Sequence, residues 1–63
     1  VNKDNYEMIK MGMEYNEVVK ILGDPDDFHS TLQSKKCTWG NDNTYIRIVF
    51  IGDRAVFFEG KGL

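Results

Sequence analysis

One cysteine, one proline, one histidine and one tryptophan occur among the 63 residues, and the scarcities exclude several classes of protein. Cys37 alone cannot close an internal disulfide. One histidine and one cysteine cannot supply a conventional four-ligand structural zinc site within one chain. No apolar run approaches the roughly 20 residues that span a bilayer, so no membrane insertion by this segment is expected. The formal net charge is −2, with both signs interspersed and no basic stripe of the kind nucleic acid requires. Nucleic acid is therefore not an expected partner. A chain this short buries only about 60% of the surface its unfolded form exposes. Lacking a disulfide or metal, it must rest on close packing or self-association. A single domain, residues 1–63, is expected. The opening "VNKDNY" has neither an initiator methionine nor a secretory signal, and reads as the start of a trimmed segment. Few cysteines suit the cytosol, and equally an envelope protein that makes few disulfides.

The first half of the sequence reads helical. Asp4 and Glu7 form a capping-box pattern that predicts a helix over about 5–10, with Tyr6, Ile9 and, beyond it, Met13 facing inward. Gly12 stands where a helix end wants a left-handed residue. A second helix is predicted over about 15–22, because Tyr15, Val18, Val19 and Leu22 recur at spacings of three and four. Glu17 and Lys20 would pair weakly on its outer side. Gly23 and Pro25 end it. Glu14 at its start is a poor N-cap residue. Neither helix is long enough to persist alone in water, so both must lie on something.

The second half reads extended. "DDFHSTLQ" (26–33) alternates Phe28, Ser30 and Leu32 against His29, Thr31 and Gln33, and "SKK" (34–36) is read as a turn. "KCTW" (36–39) is a short strand and "GNDN" (40–43) a second turn. "TYIRIVFI" (44–51) is the strongest strand, dense in β-branched and aromatic residues. Gly52-Asp53 marks a tight hairpin, and 55–61 returns as the last strand. The expected class is α+β: two short N-terminal helices, a helical hairpin, packed on one face of a four-stranded antiparallel sheet in the order ααββββ.

A sheet with helices on one side and water on the other should alternate apolar-in and polar-out. Strand 44–51 does not. Ile46, Ile48 and Phe50 form one face, while Tyr45, Arg47, Val49 and Ile51 form the other, which is also largely apolar. Two hairpin registers are open. A three-residue loop (52–54) sets Phe50 against Val56, Ile48 against Phe58 and Arg47 against Glu59. A two-residue loop sets Phe50 against Ala55 and Ile48 against Phe57, and moves Glu59 to the Ile46 face. The first is preferred because Arg47 gains a cross-strand partner. Either leaves Phe57 or Phe58 outside with Tyr45, Val49 and Ile51. The candidate protein-binding residues are Tyr45, Arg47, Val49, Ile51 and Phe57, on a patch of the kind that marks an interaction surface.

Gly12-Met13, four residues, Val18, then Leu22-Gly23-Asp24-Pro25 resembles the "GM-x-x-x-x-V-x-x-x-LG-x-P" signature of the SmpA/OmlA-like and β-lactamase-inhibitory-protein-like superfamily. The threonine usual after Gly-Met is Glu14 here. The tail "TWGNDNTYIRIVFIGDRAVFFEGKGL" is similar to that of small Gram-positive envelope lipoproteins. The resemblance implies a two-helix hairpin on a four-stranded antiparallel sheet and a non-enzymatic role in the bacterial envelope or outside the cell. Many members are tethered by a lipid on an N-terminal cysteine, and none stands at the start of this sequence. The inhibitory protein engages its target through its concave sheet face, but its inhibitory-loop residues match no motif here.

No constellation of catalytic residues is recognisable. Cys37 has no neighbouring histidine and reads as a structural thiol. His29 reads as a solvated strand-edge residue, and Asp24, Asp26 and Asp27 as an acidic turn without the glycine-hinged geometry of a calcium loop. Trp39 reads as a core residue. The expected partner is another protein or a second copy of the chain, and no cofactor is expected.

Overall fold

The computed structural model describes residues 1–63. Two helices, α1 (Lys3–Glu7) and α2 (Tyr15–Leu22), precede four strands, β1 (Asp27–Ser30), β2 (Ser34–Gly40), β3 (Tyr45–Ile51) and β4 (Arg54–Lys61). The strands form one antiparallel sheet in sequence order, so the molecule is α+β with a meander sheet.

The cap of helix α1 lies two residues before the expected one. Asn2 rather than Asp4 is the N-cap, its side chain accepting from the Asn5 amide at 2.8 Å. The helix closes at Glu7, so Gly12 does not end it. Gly12, with φ +83°, instead turns the chain into an extended strip along the outer edge of β4. The Gly12 amide donates to Ala55 O, Ala55 N to Met13 O, and Tyr15 N to Asp53 O, each at 2.8 Å. Helix α2 has the predicted bounds. Glu17 accepts from the Glu14 amide at 3.3 Å rather than pairing with Lys20. Glu14 turns its own carboxylate to Arg54, 3.2 Å away. Gly23, φ +83°, closes the helix with its amide on Val19 O at 2.7 Å.

The turn expected at 34–36 lies instead at 31–33, where the Ser34 amide donates to Thr31 Oγ1 at 3.2 Å, and β2 begins at Ser34. The 40–43 turn forms as expected, the Asn41 side chain accepting from Asn43 N and Thr44 N. At the last hairpin both registers are partly right. Gly52 and Asp53 have φ +59° and +63°, the positive pair that a two-residue turn matched to strand twist requires. Ile51 therefore faces Arg54 and Phe50 faces Ala55. Val56 is then an extra residue, a β-bulge. Beyond it Val49 faces Phe57, Ile48 faces Phe58 and Arg47 faces Glu59.

The core comprises Ile9, Val18, Cys37, Trp39, Ile46, Ile48, Phe50 and Ala55, with Tyr6, Met13, Tyr15, Ile21, Leu22 and Phe58 against it. Tyr15 meets Phe50 edge-on with ring centroids 5.2 Å apart, and Tyr6 meets Phe58 at 5.8 Å. Trp39, 1% exposed, donates its indole N–H to Gly23 O at 2.8 Å. That bond satisfies the polar end of a buried ring and ties the end of α2 to β2. Replacing Trp39 with Phe should cost about 1–3 kcal/mol from lost volume and the orphaned carbonyl, a drop in melting temperature visible by circular dichroism. Deleting Val56 should leave Phe57 and Phe58 on their present faces, because only the bulge is removed. Retained Ile48–Phe58 and Tyr6–Phe58 contacts in nuclear Overhauser spectra check this.

Candidate functional site

Register and alternation fix which side chains share the face opposite the core. Along it run the rows Asp27–Thr38–Arg47–Glu59, His29–Lys36–Val49–Phe57 and Gly40–Tyr45–Lys61, with Ser34 and Ile51 at the hairpin end. All five candidate residues therefore stand on one face. Tyr45, Arg47 and Val49 are half-buried by their neighbours, while Ile51 is 52% and Phe57 50% exposed. Phe58 points to the core side, so the bulge settles which phenylalanine is outside.

The face is not uniformly apolar. Arg47 Nη1 donates to Glu59 Oε1 at 3.0 Å, and the Arg47 guanidinium carbon lies 4.6 Å from the centroid of the Tyr45 ring, a cation–π arrangement. Arg47 Nε is buried without an acceptor. This group divides the apolar part of the face in two: the Tyr45 ring towards one end, and Val49, Ile51 and Phe57 towards the hairpin tips.

Other residues singled out in the sequence lie elsewhere. Cys37 is fully buried and burial pushes its thiol pKa up; His29 is on the open face, 3.6 Å from Asp27. Asp26 caps β2, its Oδ2 accepting from Gly40 N at 2.7 Å while its amide donates to Thr38 O. No three His, Cys, Asp or Glu side chains converge as metal ligands. No helix is long and apolar enough to cross a membrane.

Sequence reasoning missed an ionic cluster beside the start of α2. Arg54 Nη1 donates to Gly12 O at 3.0 Å while its Nη2 holds Glu14. Lys35 Nζ sits 2.6 Å from Asp53 and 4.6 Å from the Tyr15 ring centroid. These groups line a cleft of about 330 Å³. Each cation is already answered by an anion, so the cleft serves to tie the β3–β4 turn to α2. Long-range pairing between residue 14 and residue 54 leaves no local pattern by which to find it.

The family model described as "Domain of Unknown Function with solved-structure structure (DUF3862)" matches residues 1–39. The chain belongs to the DUF3862 family. The match takes in both helices, the 12–15 strip, β1 and β2 as far as Trp39. Tyr45, Arg47, Val49, Ile51 and Phe57 lie outside the DUF3862 match. No curated protein and no solved structure matches the chain.

Burial raises the pKa of Tyr15, and the hydrogen bond to Asp53 raises that of Lys35. With Cys37, all three are protonated more readily folded than unfolded. Their contribution is thus complete below the unfolded pKa values and lost as pH rises through the folded ones. The melting temperature should hold steady between about pH 6 and 8 and fall above about pH 9. Cys37→Ala should delay the onset of that fall.

Proposed function

We propose that this DUF3862 domain is a non-enzymatic protein-binding module of a bacterial envelope or secreted protein, acting through the open face of its sheet. We further infer membership of the β-lactamase-inhibitory-protein-like and SmpA/OmlA-like superfamily, with α1 and α2 as the helical hairpin that covers the opposite face. The Gly12-Met13, Val18 and Leu22-Gly23-x-Pro25 pattern supports this membership, as does the four-stranded meander.

One observation carries the binding reading. Phe57 stands half-exposed in mid-strand, beside Val49 and near the exposed Ile51, while its neighbour Phe58 packs on Tyr6. Large aromatic and arginine side chains on a rigid strand are the anchors that protein interfaces favour. A non-catalytic role is supported by the separation of the one thiol from the one imidazole: Cys37 is sealed in the core and His29 is on the opposite face.

A second reading is a homodimer through this same face. Its support is the small core, eight buried residues of 63, which a subunit interface would supplement. Sedimentation separates the two: a dimer whose melting temperature climbs with protein concentration favours self-assembly, and a folded monomer favours a heterologous partner. In either case the double variant Tyr45→Ala/Phe57→Ala should abolish association and keep the circular dichroism spectrum. Unfolding of that variant, or association unchanged, would reject these side chains as the contact.

A further inference from the structure

The open face differs in charge from the rest of the molecule. It carries four cations, Lys36, Arg47, Lys61 and, at its edge, Arg54, against three carboxylates, Asp27, Glu59 and the Glu14 that Arg54 holds. One net positive charge there, in a chain of net charge −2, leaves three net negative charges elsewhere. All three carboxylates are already engaged. Glu59 accepts from Arg47 at 3.0 Å, and Asp27 Oδ1 accepts from the Phe28 amide at 3.1 Å with His29 nearby. Lys36 and Lys61 are exposed and take part in no ion pair. Lys36 is the cross-strand neighbour of Val49, which in turn neighbours Phe57, and Lys61 is the cross-strand neighbour of Tyr45. Each apolar part of the face thus has one unanswered ammonium beside it.

We infer that the face takes an acidic polypeptide segment, one that sets an aromatic or aliphatic side chain on Val49 and Phe57 and carboxylates on Lys36 and Lys61. This rests on the protein-binding reading above and adds the partner's chemistry. The two lysines stand two strands and four residues apart, roughly 16 Å from strand spacings of about 4.8 Å and a rise of about 3.3 Å per residue. Two carboxylates four residues apart in an extended segment, on the same side and about 13 Å from each other, reach both with ordinary side-chain latitude. The residue midway lies on the same side, above Arg47, and an aromatic side chain there spans the one same-face step along β3, about 6.6 Å, to reach Val49 and the Phe57 beside it. A second copy of this chain, docked face to face, presents a face of the same net positive charge, and like charges across an interface select against it.

The test is selection from a random linear peptide library displayed on phage, using the 63-residue chain at low ionic strength, where charge contacts are least screened. Selected peptides are expected to be net acidic around an aromatic residue. Their affinity should fall roughly ten-fold or more with Lys36→Glu/Lys61→Glu, and stay the same with Lys3→Glu/Lys10→Glu, a control of equal charge change on other exposed lysines. Thermal melts of both variants establish that they fold. Peptides that need Phe57 but show no acidic excess, or ignore the Lys36 and Lys61 reversals, overturn the acidic partner and leave the binding face standing. Absence of any peptide dependent on Tyr45 or Phe57 overturns both. A dimer in sedimentation that Phe57→Ala dissolves overturns the acidic partner in favour of a second copy.

Discussion

One unpaired residue in the last hairpin decides what this molecule presents to its surroundings. The Gly52-Asp53 turn sets Ala55 against Phe50, where a small side chain fits a fully buried position. The bulge at Val56 then restores a register in which Phe58 faces the core and Glu59 faces Arg47. Because side chains alternate across a strand with a period of two, a register error of one residue exchanges the two faces completely. Were Val56 paired with Val49 instead of bulged, the same turn would set Phe57 against Ile48 and turn Phe58 outward. The bulge prevents this, and an outward Phe57 is the consequence.

Much of this was legible in the chain. The apolar stripe of α2, its closure at Gly23, the strength of β3 and the two-faced character of "YIRIVFI" all follow from local spacing, and local spacing is what a sequence displays directly. The start of α1 differs because Asn2 and Asp4 are both competent caps two residues apart, and it is Asn2 that accepts from the Asn5 amide. The 31–33 turn was missed because Ser-Lys-Lys reads as more turn-like than Thr-Leu-Gln. It is the pairing of Lys35 with Phe50 and Lys36 with Val49 that draws those lysines into β2. The hairpin register could be narrowed to two pairings but no further, since a bulge combining both has no simple signature in residue order.

The polar interactions divide in the same way. Contacts close in sequence, such as the Asn41 turn, are foreseeable from residue type. The Arg54 bonds to Gly12 O and Glu14, and the Trp39 bond to Gly23 O, span 42, 40 and 16 residues and are not. They fasten the N-terminal segment to the turn and to β2, leaving the opposite side of the sheet uncovered. Rigid strands thus hold Val49, Phe57, Tyr45 and the Arg47–Glu59 pair in fixed relation without any loop closing over them. The DUF3862 match ends at Trp39, so the part shared with the family model is the helix-bearing segment and the first two strands rather than the two strands that carry most of the candidate face.

Solvent paramagnetic relaxation measures the central claim most directly. A soluble, neutral gadolinium chelate added to the isotopically labelled chain reports how closely solvent approaches each ring. The Phe57 ring protons should relax strongly, as on an exposed surface, while those of Phe58 are shielded. Equal protection of the two rings, or a shielded Phe57 beside an exposed Phe58, would contradict the account.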